Sequence, residues 1–288
     1  MAAGETLKSV ASFSIPPPPL LLMDSSENSF QKDDMLQLLR TQVGESFVAV
    51  SRGFNEHTEV SGDGWCVFSG QPLINGNRFL IQRDSLNTLQ RYESQLEEFG
   101  CSSTGMFAGE AQRLPLSTKW TQSHSTSFMT YDLTTLSEAT IDVMHDSRVY
   151  MAKSSDYERV VECLIGSFDM DPQSVACSPF AHAARTIDSM KDVKIFLIDD
   201  GDVVASIVYS VKVGQNVSLL AMGTVPSSRR KGLAKAILHA SFIDAHSQGL
   251  QKVLLFASKL GKYLYDSIGF KTLEEWTFFS YNPKTSAP

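Results

Sequence analysis

Cysteine is scarce in this 288-residue chain: Cys66, Cys101, Cys163 and Cys177 stand far apart and form neither a CxxC pair nor a dense framework. That excludes a disulfide-stapled scaffold and reads as reduced thiols, as in a cytoplasmic protein. Long apolar runs are missing as well. No segment reaches the roughly 20 residues of a membrane-spanning helix, and the apolar residues 20–23 behind the prolines at 16–19 are too few for the core of a signal peptide. Nor is positive charge in excess. The 25 Lys and Arg face 32 Asp and Glu, a net charge of -7, so no overall attraction to nucleic acid follows and any basic patch acts locally. Neither the phosphate-loop pattern GxxxxGK[ST] nor the dinucleotide pattern GxGxxG occurs.

What is present is ordinary for a soluble globular chain, with 42% hydrophobic and 20% charged residues, and the length suits two domains with a core each. Residues 1–27 read as a flexible leader whose PPPP run is a solvated polyproline segment. In residues 28–140 the pattern predicts a helix over 32–40 and strands at 47–50 and 65–68. A clear helix over 84–99 follows, opened by Asp84, with Leu86, Leu89, Leu96 and Phe99 on one face and Gly100 as its stop. Two strands follow, at 128–133 and 139–144.

Residues 141–288 alternate differently. A helix over 155–168 carries Tyr157, Val160, Val161, Leu164 and Ile165 on one side. A hairpin pairs 194–198 with 203–213 around a DDGD turn, a strand runs over 216–225, and helix 232–247, strand 252–257, helix 261–268 and a strand near 276–281 complete the order. A mixed central sheet with flanking helices, an α/β fold, is the consequence.

The stretch SSRRKGLAKA at residues 227–236 sits between strand and helix. A helix beginning at Gly232 leaves first-turn N–H groups without intrahelical acceptors at the positive end of its dipole, and Arg229, Arg230 and Lys231 add charge there. Taken alone, the cluster fits a phosphate site, a local nucleic-acid contact or a solvated loop.

The string Arg229-x-x-Gly232-x-Ala234, following an apolar strand, resembles the coenzyme A pyrophosphate loop of the GCN5-related N-acetyltransferase (GNAT) family, Q/R-x-x-G-x-G/A. Downstream, Leu264-Tyr265-Asp266-Ser267-Ile268-Gly269-Phe270 is similar to that family's LYxxxGF motif. The resemblance implies an acyl-CoA N-acyltransferase fold for 141–288. The first half resembles a degenerate domain of the same type in tandem, without its own pyrophosphate loop.

It further implies transfer of an acetyl group from acetyl-CoA to a primary amine, by direct attack in a ternary complex. The acceptor is a small-molecule amine or a peptide or protein amine, with no metal, nucleic acid or membrane involved. Gly223, Thr224, Val225, Arg229, Arg230, Lys231, Gly232, Leu233, Ala234 and Ser258 are the implied cofactor contacts, Ser258 standing where relatives often have Asn. Tyr265 is the implied general acid. No acid lies on the strand before the loop, which leaves the base open among a water relay through Ser218 or Thr224 and the carboxylates Glu274 and Glu275. His239 and His246, two turns apart, do not make a metal pair, and His182 reads as a surface residue. A non-catalytic acyl-CoA-binding or scaffold protein, whose first domain recognises a partner, is the alternative.

Overall fold

A computed structural model describes residues 25–70, 76–83 and 85–284. The polyproline run and Asp84 lie outside them. Residues 36–288 make up one compact unit; of the other unit, residues 1–35, the part from Ser25 is helical.

The chain opens with α1 (Ser25–Val50), then β1 (His57–Val60), β2 (Gly64–Phe68), β3 (Asn77–Ile81), α2 (Leu86–Phe99), β4 (Ser103–Phe107) and β5 (Trp120–Asp132). It continues through α3 (Glu138–Met144), β6 (Val149–Met151), α4 (Tyr157–Phe168), α5 (Pro172–Ala176), α6 (Pro179–Thr186), β7 (Val193–Asp200), β8 (Val203–Val213) and β9 (Asn216–Thr224). The last elements are α7 (Leu233–Ser247), β10 (Lys252–Ala257), α8 (Lys259–Ile268) and β11 (Lys271–Tyr281). The α/β fold with a mixed central sheet is therefore observed.

Two expected strands are helices. The run at 47–50 belongs to α1, because Leu39, Val43, Phe47 and Val50 recur at helical spacing and are all buried along one seam. Residues 139–144 form α3, started by Ser137, whose hydroxyl accepts from the Thr140 amide at 3.3 Å. Helix α2 begins under Ser85, whose hydroxyl accepts from the Thr88 amide at 3.4 Å, and stops where Gly100 takes a φ of 62°.

All described strands lie in one eleven-stranded sheet, in the order β1-β2-β3-β4-β11-β5-β10-β9-β8-β7-β6. Each half runs an antiparallel meander into a parallel pair joined by a helix: β3-α2-β4 in the first, β9-α7-β10 in the second. The next strand of each half then crosses to the other. β5 pairs antiparallel with β10, β11 pairs antiparallel with β4, and the two pair with each other at the centre. Thus β1–β5 precede the expected boundary at 140/141 and β6–β11 follow it, while the sheet runs unbroken across it.

Helices cover both faces. Buried residues of α1, α4 and α6 join a core with Trp65, Leu80, Met106, Phe128, Ile207 and Trp276. On the opposite face α7 packs over the second half through Leu233, Ile237, Leu238, Phe242 and Ala245, and α2 packs over the first through Leu89, Tyr92 and Leu96. Each large apolar side chain so buried stabilises the fold by about 1.5–3 kcal/mol.

Candidate active site

The two parallel pairs end differently. In the first half β3 and β4 stay in register to their C-terminal residues, Ile81 against Phe107. In the second half β9 and β10 pair only at their beginnings, Asn216 with Lys252, Val217 with Val253 and Ser218 with Leu254. Beyond these residues the strands part, and β9 carries a bulge: Ile207 and Tyr209 of β8 face Gly223 and Leu220, so Ala221 and Met222 oppose a single residue. Ala221 takes a φ of 48°, a left-handed conformation that an alanine rarely adopts. The bulge turns the last residues of β9 away from β10 and leaves a wedge at the carboxyl ends of the strands.

A cavity of about 1180 Å³ fills this wedge. Its lining comes from both cores, with Leu233 and Tyr265 from one and Phe47, Leu220 and Phe278 from the other, so the space passes through the sheet opening. Gly223 permits the near wall: a Cβ there would lie 2.6 Å from the Ser167 Cβ and 3.1 Å from the Phe168 ring. Any side chain would force α4 away from β9.

At one end stands the N-terminus of α7. Gly232 holds its start in the left-handed region, with a φ of 80° and open space where a Cβ would be, so backbone conformation rather than crowding calls for glycine. No side chain caps the helix and no acid lies in its first turn; Ala236 is the first to bond back, to the Gly232 carbonyl at 3.0 Å. The amides of Leu233, Ala234 and Lys235 face outward as donors for an anion.

The three basic residues of the cluster part ways. Arg229 turns back, its Nε donating to the Thr224 carbonyl at 3.0 Å and an Nη to the Ser167 carbonyl at 3.2 Å, which ties the loop to β9 and α4. Lys231 pairs with Asp200 at the end of β7, and the Ser228 hydroxyl donates to the same carboxylate at 2.6 Å. Lys231 and Ser228 together hold the Asp200 carboxyl below its ordinary range. Arg230, with a φ of 66°, lines the cavity and has no hydrogen-bond or ion-pair partner among the described residues.

Gly223, Thr224, Arg229, Arg230, Gly232, Leu233, Ala234, Ser258 and Tyr265 all line the cavity; Val225 and Lys231 do not. The Thr224 hydroxyl meets Ser206 of β8 at 2.9 Å. Ser258 caps α8, its hydroxyl accepting from the Gly261 amide at 3.2 Å. Tyr265 is buried against Gly261 and Phe270, and its phenol, with no hydrogen-bond partner among the described residues, is pushed well above the usual range by burial. Tyr263 is 73% exposed.

Of the groups considered for the base, Thr224 lines the cavity and the other three are engaged elsewhere. Ser218 is fully buried and accepts from Ser46 of α1 at 3.1 Å. Glu274 makes a two-point ion pair with Arg40, and Glu275 accepts from the Ser127 hydroxyl at 2.6 Å. His182 lies in α6 beside Gly53 and Phe54. Among the described residues no group of three or more His, Cys, Asp or Glu is placed to hold a metal ion.

Two ionisable residues of the lining that the sequence reading did not single out come from the first half. His124, on β5, stacks on Phe278 with ring centroids 4.6 Å apart and shares a hydrogen bond of 2.9 Å between Nδ1 and the Ser123 hydroxyl. Partial burial holds its imidazole below the ordinary histidine range. Arg78, on β3, sets its guanidinium over Phe47, 5.6 Å from the ring centroid. Only the exchange of β5 across the halves brings His124 to this cavity, and no local pattern encodes that exchange.

Comparison with known proteins agrees with the geometry. The family model described as an acetyltransferase (GNAT) domain matches residues 169–280. No curated protein sequence matches the chain. Among solved structures, a GCN5-related N-acetyltransferase from Kribbella flavida superposes with a TM-score of 0.55 at 14% identity, covering 84% of this chain and 95% of its own. One from Sphaerobacter thermophilus gives 0.53 at 10% identity, covering 78% of each chain. The Saccharomyces cerevisiae N-myristoyltransferase, solved with bound myristoyl-CoA, gives 0.52 at 9% identity, covering 93% of this chain and 81% of its own. Residues 169–280 thus match the GNAT acetyltransferase domain, and the chain around them has the GNAT acyltransferase fold.

Proposed function

We propose that this protein transfers an acetyl group from acetyl-CoA to a primary amine within one ternary complex. The observation that carries the reading is the wedge between β9 and β10, which opens directly onto the free amides of α7. The residues present fit the cofactor. A bare Gly223 leaves room beside the strand, the edge of β9 from Leu219 to Thr224 that no longer pairs with β10 offers hydrogen bonds to an extended amide-bearing arm, and the amides of Leu233 to Lys235 with Arg230 suit a pyrophosphate. Arg229 and Lys231 support this loop rather than touch the phosphates. When bound, the thioester supplies an activated acyl carbon.

The chain's own groups then manage protons. Attack requires a neutral amine, so the amine's proton must leave as the C–N bond forms, and the cavity's only imidazole among the described residues, His124, is the base we assign. As the C–S bond breaks, the Tyr265 hydroxyl donates to the departing sulfur; burial keeps this phenol protonated beforehand. Residues 28–140 and 141–288 are read as two GNAT-like halves, of which only the second binds cofactor, since β3 and β4 never part. The free thiols suit a reducing, cytoplasmic compartment.

Calorimetry with acetyl-CoA tests the reading. Saturable binding that Gly232→Glu weakens is expected, and absence of binding would overturn it. Binding without turnover over a broad amine panel would instead mark a non-catalytic acyl-CoA-binding protein. Tyr265→Phe is expected to lower kcat by about tenfold or more while leaving acetyl-CoA affinity within twofold.

A further inference from the structure

Among the described residues the cavity lining contains no aspartate or glutamate, in a chain that has 32 of them and a net charge of -7. Its charged residues are all basic: Arg229, Arg230 and Lys235 around the start of α7, and Arg78 from the other half. The first three lie beside the amides assigned to the cofactor's phosphates. Arg78 stands four strands away from β10 in the sheet order, on the face that carries Phe47 and Phe278.

Among the described residues nothing answers that charge: Arg78 belongs to no ion pair, its Nε is buried without a hydrogen-bond partner, and Phe47 offers only its ring face. Burial of an unpaired guanidinium is costly, and here it lowers the group's pKa to about 10. A side chain held this way, facing a cavity, is poised to receive an anion from outside the chain, and the planar guanidinium matches a carboxylate in two-point geometry. Around it, Phe47, Phe180, Phe256 and Phe278 form an apolar wall.

We infer that the amine acceptor is a small amino acid-type molecule whose carboxylate is bound by Arg78 and whose apolar part rests on the wall of Phe47, Phe180, Phe256 and Phe278. This rests on the acetyltransferase reading above and narrows it. Polycationic amines fit poorly, because no carboxylate of the lining pairs with a second ammonium. A long peptide or protein lysine lacks the carboxylate near the reacting amine. Arg78 is a binding residue for the acceptor, distinct from Tyr265 and His124, which move protons.

The test uses the full-length protein, acetyl-CoA and matched acceptors: apolar α- and ω-amino acids, the methyl ester and carboxamide of each, and spermidine. The free carboxylate form is expected to exceed its ester and amide in kcat/KM by about tenfold or more, the worth of one charge-assisted pair. In Arg78→Gln this preference disappears through a raised KM, with acetyl-CoA affinity unchanged by calorimetry. Equal use of ester and acid, or preference for spermidine, would overturn the assignment while leaving the acetyltransferase reading intact. Failure of acetyl-CoA to bind, or binding with no acceptor turned over, overturns both. Should Arg78→Gln not fold, the matched acceptors on the unaltered protein decide the matter alone.

Discussion

Gly232 and Arg230 stand two positions apart and make opposite claims on the site. Gly232 has a backbone angle that an L side chain adopts only at a cost of about 1–2 kcal/mol, although there is room for the side chain itself. Gly232→Ala is therefore expected to lower the melting temperature by a few degrees and to weaken acetyl-CoA several-fold. Arg230→Ala is expected to leave melting unchanged and to make affinity less sensitive to salt; calorimetry and thermal melts at two ionic strengths check both. His124 gives a pH signature. Its pKa is depressed by burial, so the neutral, proton-accepting form persists below the pH at which an ordinary histidine charges, and is lost only as pH falls through the depressed value. The acid limb of kcat/KM is expected below about pH 6.5, the ordinary histidine value, and His124→Gln is expected to remove it along with most of the rate.

Elements explain which of these features could be read in advance. Helix α7, the hairpin β7–β8, and strands β9 and β10 follow from period and turn chemistry alone, whereas Tyr265 is named only through the resemblance to the LYxxxGF motif. Strand β3, strand β4 and most of β5 do not, because their short mixed segments owe their conformation to neighbours distant in sequence. The misread of residues 47–50 has the same root: a run of FVAV satisfies either period, and only the preceding Leu39 and Val43 decide for helix. At this scale the contact between α4 and β9 is the sensitive one. Gly223→Ala sets a methyl against Ser167 and Phe168, and is expected to destabilise by about 1–3 kcal/mol while impairing acetyl-CoA binding. Chemical denaturation and calorimetry on the one variant would report both.

For the molecule as a whole, neither half is self-sufficient. Residues 141–288 without β5 would leave β10 and β11 each short of a neighbour at the sheet centre and expose the side chains that meet Phe128 and Met129. Expressed alone, that half is expected to aggregate or to lack cooperative melting, and mixing it with residues 28–140 during refolding is expected to restore a single transition, followed by circular dichroism. A soluble, cooperatively melting fragment would contradict this. The acceptor end of the cavity would be lost as well, since Phe47, Arg78 and His124 all belong to the first half.

The crossed strands also set a schedule for synthesis. Ser127 on β5 and Glu275 on β11 are 148 residues apart yet hydrogen-bonded at the centre of the sheet. On the ribosome, β4 and β5 are made early and must wait with open edges until β11 emerges, some seconds later at ordinary rates of elongation. The first half therefore has no complete sheet to fold into while it is being translated. Such a chain closes late and all at once, and in the interval its apolar strands depend on slow pairing or on chaperones to stay apart from other chains.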